Sequence, residues 1–417
     1  MKISTVIFLI SATFIFPGRL FALGLDDCVK MAVANSRALK AYGRLSRSSE
    51  QAYKSAKASL RPALSASGES DYTVYQGGSG LRDGLLGQAG VQLSLDLRKT
   101  LAGAELERLD TEKSGLEAKL AEKDIIRGVT QDYYKLYILL KKRDDYDEAV
   151  KYFQSHIEDI EKLEHAGMDL KLDRVRAEIQ LNSLEVARRA LDADMAAVLK
   201  SLSSAAGKDL KAEEMVFDDG PALLEGLSGR EERPAAGSAA PLLSFSVRLN
   251  RLETASAFEA YRRTGFVYAP ALQFGLARNI SPIDPAMELY RTYLAVSLDV
   301  FDWGARAGGK QAALEAYRAR VETEAENKRQ LALSLAQLGA GMRSAASVYD
   351  ALRSNYLSAA GNLETAKTYY RQGKIKETDL LSIFSEYLAA KEQSRDALGL
   401  YLDKKTELEY LRAGETE

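Results

Sequence analysis

Cysteine is nearly absent. Cys28 stands alone among 417 residues, so no disulfide can form within one chain. Histidine is almost as scarce, and His156 and His165, with no cysteine or histidine beside either, make a poor metal site. Neither sign of charge is in excess: 57 Lys and Arg against 59 Asp and Glu leave a net charge of −2. That balance supplies neither the basic field that attracts nucleic acid nor the acidic surplus of a solvating tail. Catalytic signatures are missing too. The chain has no phosphate-cradling Gly-rich loop, no nucleophile elbow and no paired histidines, and its many Asp and Glu residues fit the solvated faces of helices. The expectation is a protein that is not an enzyme and carries no cofactor.

Proline is the more informative scarcity. Pro17, Pro62, Pro221, Pro234, Pro241, Pro270, Pro282 and Pro285 leave 63–220 and 286–417 free of it, which predicts long unbroken helices in place of two or three ordinary domains. Long apolar runs are also lacking after the N-terminus: none reaches about 18 residues, so any membrane passage falls to strands. At the start, Lys2 precedes an apolar run from Ile3 to Phe16, and Pro17-Gly18 breaks it. Residues 1–22 therefore resemble a signal peptide cleaved after Ala22 or Gly24, with an uncleaved anchor helix as the alternative. Cys28 follows Asp26-Asp27 and not a small residue, which fits a small buried hydrophobe better than a lipid-attachment site.

Periodicity is abundant. Leu331, Leu335, Leu338, Met342, Ala345, Tyr349, Leu352, Tyr356, Ala359, Leu363, Ala366 and Tyr370 recur at steps of three and four, a coiled-coil seam. Gly373 then supplies a left-handed stop, Glu377-Thr378-Asp379 suits a new helix N-terminus, and Leu380, Ile383, Tyr387, Ala390, Ala397 and Tyr401 carry the return stripe. The same reversal is expected at Gly167, between an outgoing helix (Val129, Tyr133, Leu136, Leu140, Tyr146, Val150, Phe153, Ile157, Ile160) and a return helix (Ala177, Leu181, Leu184, Leu191, Met195, Val198, Leu202). A helix from about 101 to 165 would run roughly 100 Å. A further helix is expected from Leu25 to Leu60.

Elsewhere the period changes to two. Val91, Leu93, Leu95 and Leu97 alternate with polar residues after a turn-rich loop at Gln76–Gly87, and Leu272, Phe274, Leu276 and then Leu294, Val296, Leu298 do so around a loop at Asn279–Pro285. Two β-hairpins, 63–98 and 271–301, are expected, with those apolar residues facing lipid, because the chain offers no further hairpins to cover them. The halves also match each other: Pro62-Ala63-Leu64 with Pro270-Ala271-Leu272, Leu93-Ser94-Leu95-Asp96-Leu97 with Val296-Ser297-Leu298-Asp299-Val300, and Gly167 with Gly373. The expected organisation is a first repeat over 23–206 with its tip near 167, a linker over 207–241, a second repeat over 242–412 with its tip near 373, and a tail at 413–417.

With these features the chain resembles the TolC family of outer-membrane efflux channels. The opening Leu25-Asp26-Asp27-Cys28-Val29-Lys30-Met31-Ala32-Val33-Ala34-Asn35 is similar to the family's Leu-Asp-x-x-(Val/Ile)-x-x-Ala-x-x-Asn. Ser297-Leu298-Asp299-Val300-Phe301-Asp302-Trp303-Gly304 resembles its strand-to-helix junction, and Gly167–Leu191 and Gly373–Leu398 resemble its two hairpin tips. The resemblance implies a mainly α protein with a membrane β-barrel portion: a homotrimer, four strands per protomer closing the β-barrel in outer-membrane lipid, and long antiparallel helical hairpins forming a periplasmic α-barrel. It implies a passive duct of a tripartite export system, fed by an inner-membrane pump of RND, ABC or MFS type through a periplasmic adaptor protein, with no nucleic-acid partner. A type I protein secretion duct, or a periplasmic coiled-coil adaptor or scaffold without a pore, stays open.

In that family a Tyr and an Arg of the second tip bind an Asp of the first, and Asp residues form a filtering ring. Tyr370, Asp173 and Asp379 match these positions, so the resemblance makes Asp173, Tyr370, Lys374, Lys376 and Asp379 the gate candidates. The chain departs at Ile375, where the family has the Arg, flanked here by Lys374 and Lys376, and at Ser382, where it has a second ring Asp. Helix-dipole complementation by Asp173 and Asp379, and seam packing by Tyr370, are the simpler roles.

Overall fold

A computed structural model describes residues 23–59, 61, 63–77, 80–96, 101–166, 168, 170–217, 245–265, 271–280, 289–297 and 302–412. The expected signal segment and tail, and with them Leu97, Gly167 and Leu298, lie outside the described residues. The helix expected from Leu25 to Leu60 is two, α1 (Leu25–Asn35) and α2 (Arg37–Ala58). The break falls at Ser36, whose hydroxyl accepts a hydrogen bond from the Leu39 N–H at 3.2 Å and so caps α2. Strands β1 (Ala63–Gly77) and β2 (Gly80–Asp96) precede α3 (Leu101–His165) and α4 (Lys171–Ala206). After a 3₁₀ turn at Ala212–Glu214 come α5 (Phe245–Gly265), β3 (Ala271–Ile280), β4 (Leu289–Ser297), α6 (Ala305–Arg371) and α7 (Glu377–Arg412).

The loop expected at Gln76–Gly87 is mostly strand, with pairing from Gly77↔Gly80 through Asp71↔Leu86. Ladder hydrogen bonds use only backbone, so a Gly-rich stretch can join a sheet when its neighbour is in register, and composition alone hides this. At the second hairpin β3 likewise runs on through Asn279 and Ile280, with Asn279 opposite Leu289. All four strands form one antiparallel sheet in the order β1-β2-β3-β4. Its register aligns Leu93 with Phe274 and Phe274 with Leu294, and Leu95 with Leu272 and Leu272 with Val296.

The chain makes two compact units, and each takes segments from both halves of the sequence: 1–35, 128–231 and 349–399 in one, 36–127, 232–348 and 400–417 in the other. In the first, the seams read from the sequence are covered. Phe153 and Ile160 of α3, Ala177 and Leu184 of α4, Leu363 and Ala366 of α6, and Leu380, Phe384 and Leu388 of α7 share one buried cluster. A helix cannot cover its own stripe, and four of them meeting at one seam can. The start of α1 is tied in by backbone: Leu23 N–H donates to the Glu214 carbonyl at 2.8 Å and Val216 N–H to the Leu23 carbonyl at 3.1 Å. Asn35 Nδ2 donates to the Ala206 carbonyl at 2.5 Å, and Cys28 is buried and unpaired in any disulfide.

The second unit holds the sheet with α2, α5 and the neighbouring parts of α3, α6 and α7. Lys113 of α3 and Arg320 of α6 both reach Glu253 of α5, each at 3.0 Å. In the sheet Gly275 lies opposite Tyr293, whose ring occupies the space a Cβ would need, at 2.3 Å. Gly275→Ala should therefore destabilise the second hairpin by about 1–3 kcal/mol. In a Tyr293→Ala background the same change should cost less, a non-additivity readable from thermal melts of the four proteins in detergent.

Candidate functional site at the hairpin tips

The second reversal is built from residues 369–380 in the first unit. Gly373 adopts φ 68°, and two backbone bonds close the end of α6: Gly373 N–H to the Tyr370 carbonyl at 2.8 Å and Lys374 N–H to the Tyr369 carbonyl at 2.9 Å. This is the Schellman stop that a glycine past a helix end allows, because the left-handed backbone strains any side chain. Helix α7 restarts at Glu377, and the Asp379 carboxylate accepts the Lys376 N–H at 3.2 Å, the reverse half of a capping box. At the first reversal Met168 N–H donates to the Leu163 carbonyl at 3.2 Å.

The gate candidates divide by environment. Lys376 and Asp379 are exposed, and Lys374 places its ammonium 5.4 Å from the ring centroid of Tyr369. Asp173 lies in the first turn of α4 with Arg176 at 3.5 Å. Tyr370 is half-buried against the apolar cluster, and Ile375, at the family's Arg position, packs there too. The Tyr370 hydroxyl hydrogen-bonds to Glu377, while Asp173 reaches it only through its charge. Burial, then the Glu377 carboxylate, holds this phenol well above its usual range.

The pairing of Glu377 with His156 escaped the sequence reading. Glu377 is 1% exposed, and His156 Nε2 sits 3.0 Å from both of its carboxylate oxygens. The imidazole is boxed by rings: Tyr152 stacked at 5.8 Å between centroids, Tyr370 edge-on at 5.3 Å and Phe153 edge-on at 6.3 Å. A buried carboxylate is tolerable here because it sits at the N-terminus of α7 and takes hydrogen bonds from two side chains. One signal was available. Glu377 suits a helix N-terminus, but it also lies three residues before Leu380, on the apolar stripe itself.

Further along the same helices a second polar network crosses from α3 to α7. Lys391, 6% exposed, lies 2.9 Å from Asp145 and 3.0 Å from Glu148, and Arg395 Nε lies 3.1 Å from Asp145. Burial by itself would push the Lys391 ammonium down; hydrogen bonds to Asp145 and Glu148 outweigh it and hold the group above its usual range. Lys142 adds contacts to Glu392 at 3.2 Å and Asp396 at 2.7 Å. Among the described residues no cluster of His, Cys, Asp and Glu is arranged to hold a metal.

Asp145→Ala should leave Lys391 buried without its nearest counter-charge and cost about 3–5 kcal/mol, seen as a lowered melting temperature. The Tyr152 phenol, pushed up to about 12 by burial first and the Glu377 charge second, predicts an alkaline effect. A group whose pKa is raised by folding adds stability that is complete below its unfolded value of about 10 and fades as pH climbs towards 12. Denaturant titrations between about pH 10 and 12 should show that loss, and Tyr152→Phe should reduce it.

No family model and no curated protein matches this chain. Solved structures do. CusC, whose study concerns folding and transmembrane channel formation, matches with a TM-score of 0.84 at 14% identity over 94% of this chain and 93% of its own. The Campylobacter jejuni CmeC outer membrane channel matches at 0.81 and 14% identity over 94% and 85%. The Neisseria gonorrhoeae MtrE outer membrane channel, in its open state, matches at 0.78 and 16% identity over 94% and 89%. At such identities the likeness is one of architecture: this chain has the fold of outer-membrane channels of the efflux type.

Proposed function

We propose that the chain is a TolC-family outer-membrane protein and serves as a passive export duct. The observation that carries this reading is the sheet. Phe274, Leu294 and Val296 are 50%, 70% and 60% exposed, on register rows shared with Leu93, Leu272 and Leu95. A pore-free periplasmic scaffold would have to cover those side chains with its own helices. No described helix is long and apolar enough to cross a membrane, which leaves strands for the task. Among the described residues β1 and β4 each have an unpaired edge, and open edges cannot persist in hydrocarbon. Closure by sibling copies, as a homotrimer, satisfies every edge. Trp303, 91% exposed at the start of α6, suits the aromatic belt at a membrane boundary.

In this reading the helical hairpins line a periplasmic tunnel and their tips form its inner end. A chain without catalytic or cofactor chemistry moves cargo only if a partner supplies energy, so an inner-membrane pump and a periplasmic adaptor complete the system. In this reading Asp173, Tyr370, Lys374, Lys376 and Asp379 are the gate candidates, and the exposed Asp379 contributes one carboxylate per copy to a ring.

The test is direct. Detergent-extracted protein should come from the outer-membrane fraction, migrate on gels as a heat-modifiable trimer and conduct ions in planar bilayers. Soluble monomer released by osmotic shock would overturn the reading. For the ring, Asp379→Asn keeps an acceptor for the Lys376 N–H but removes the charge, and should weaken cation preference. An unchanged reversal potential in a salt gradient would remove Asp379 from the gate.

A further inference from the structure

His156 and Glu377 are separated by 221 positions, yet they form a buried contact between the body of the first hairpin and the turn of the second. Among the described residues His156 is the sole ion-pair partner of Glu377. The other charges nearby are paired elsewhere, share its sign or, in the case of Arg371, lie exposed. From α3, Asp159 pairs with Lys162 at 2.9 Å; from α4, Asp173 pairs with Arg176. From α6, Lys367 pairs with Glu364 at 2.7 Å and lies 4.7 Å from the Tyr152 ring centroid, while Arg371 is exposed and acts on Tyr152 and Asp159. The remaining direct partner of Glu377 is the neutral Tyr370 hydroxyl.

The contact therefore has two strengths. With the imidazole protonated, a charge-assisted bond faces both carboxylate oxygens, and the stacked Tyr152 ring offers its face to the cation. With the imidazole neutral, one N–H bond remains, and a desolvated carboxylate has lost its counter-charge. Histidine changes charge between about pH 5 and 8, within the range that an exported protein meets.

We propose that His156 and Glu377 form a proton-operated tie between the two helical hairpins, firm when the imidazole is charged and slack when it is neutral, so that the tips part more readily as pH rises. The proposal rests on the channel reading for its effect on transport, but the tie itself can be observed without a pore.

The experiment uses the full-length protein in detergent and in planar bilayers, at about pH 5.5 and about pH 8. Wild-type open probability should rise about five- to ten-fold across that interval, the ratio between a charge-assisted and a neutral hydrogen bond. His156→Gln and Glu377→Gln, near-isosteric and uncharged, should conduct at both pH values like wild type at the higher one. The exchange His156→Glu with Glu377→His should restore pH dependence. In parallel, amide hydrogen exchange over 373–380, corrected for intrinsic rates, should show protection in wild type that falls as pH rises and is flat in His156→Gln.

The outcomes separate the two ideas. Conducting wild-type protein whose conductance and tip protection are both unaffected by His156→Gln and Glu377→Gln overturns the tie and leaves the channel reading standing. Protein that never conducts, but whose tip protection depends on pH in wild type and not in His156→Gln, supports the tie and overturns the channel reading.

Discussion

An amphipathic helix tens of residues long cannot hide its apolar stripe against itself, and that constraint shapes most of this molecule. The stripes of α3, α4, α6 and α7 converge, and Phe153, Leu363, Leu380 and Phe384 occupy the place where they meet. Phe153 and Phe384 cross edge to face with centroids 4.7 Å apart, a geometry that adds directional attraction to area burial. Remove this mutual cover and each helix presents water with an apolar stripe along its length. The two reversals are therefore as consequential as the seams, because each decides which stripe faces which.

The sheet answers the opposite problem. Phe274, Leu294 and Val296 of the sheet are exposed, and among the described residues no further strand pairs with the outer edge of β1 or β4. Helices that satisfy one another and strands that do not are a coherent pair of facts if two solvents are involved. Under the channel reading proposed above, water surrounds the helices, hydrocarbon surrounds the strands, and further copies supply the missing edges.

Polar contacts then set specificity inside the helical layer. Lys391 with Asp145 and Glu148, and His156 with Glu377, all join α3 to α7, the same two helices, at separate places along them. Buried charges of this kind add little net stability compared with well-packed apolar residues, but breaking one partner is costly. They act as register marks. A helix displaced along its neighbour by one turn would strand Asp145 and Glu377 without their partners.

Much of this was legible from composition and spacing. The absence of proline over 63–220 and 286–417 and the three-four recurrence of apolar residues foretold α3, α4, α6 and α7, because helix geometry is local and writes its period into the chain. Gly373 announced its turn for the same reason. Ser36 was missed as a break because one cap in a periodic stretch barely alters the pattern, and strand pairing at Gly80–Gly87 was missed because glycines carry no pattern at all. The join between Val91–Leu95 and Leu272–Leu276 in one sheet, and the meeting of His156 with Glu377, were decided by tertiary structure alone. Partners 221 positions apart leave no trace in local spacing; whether a histidine is a solvated side chain or a buried partner of a carboxylate depends on which helix the fold lays beside it.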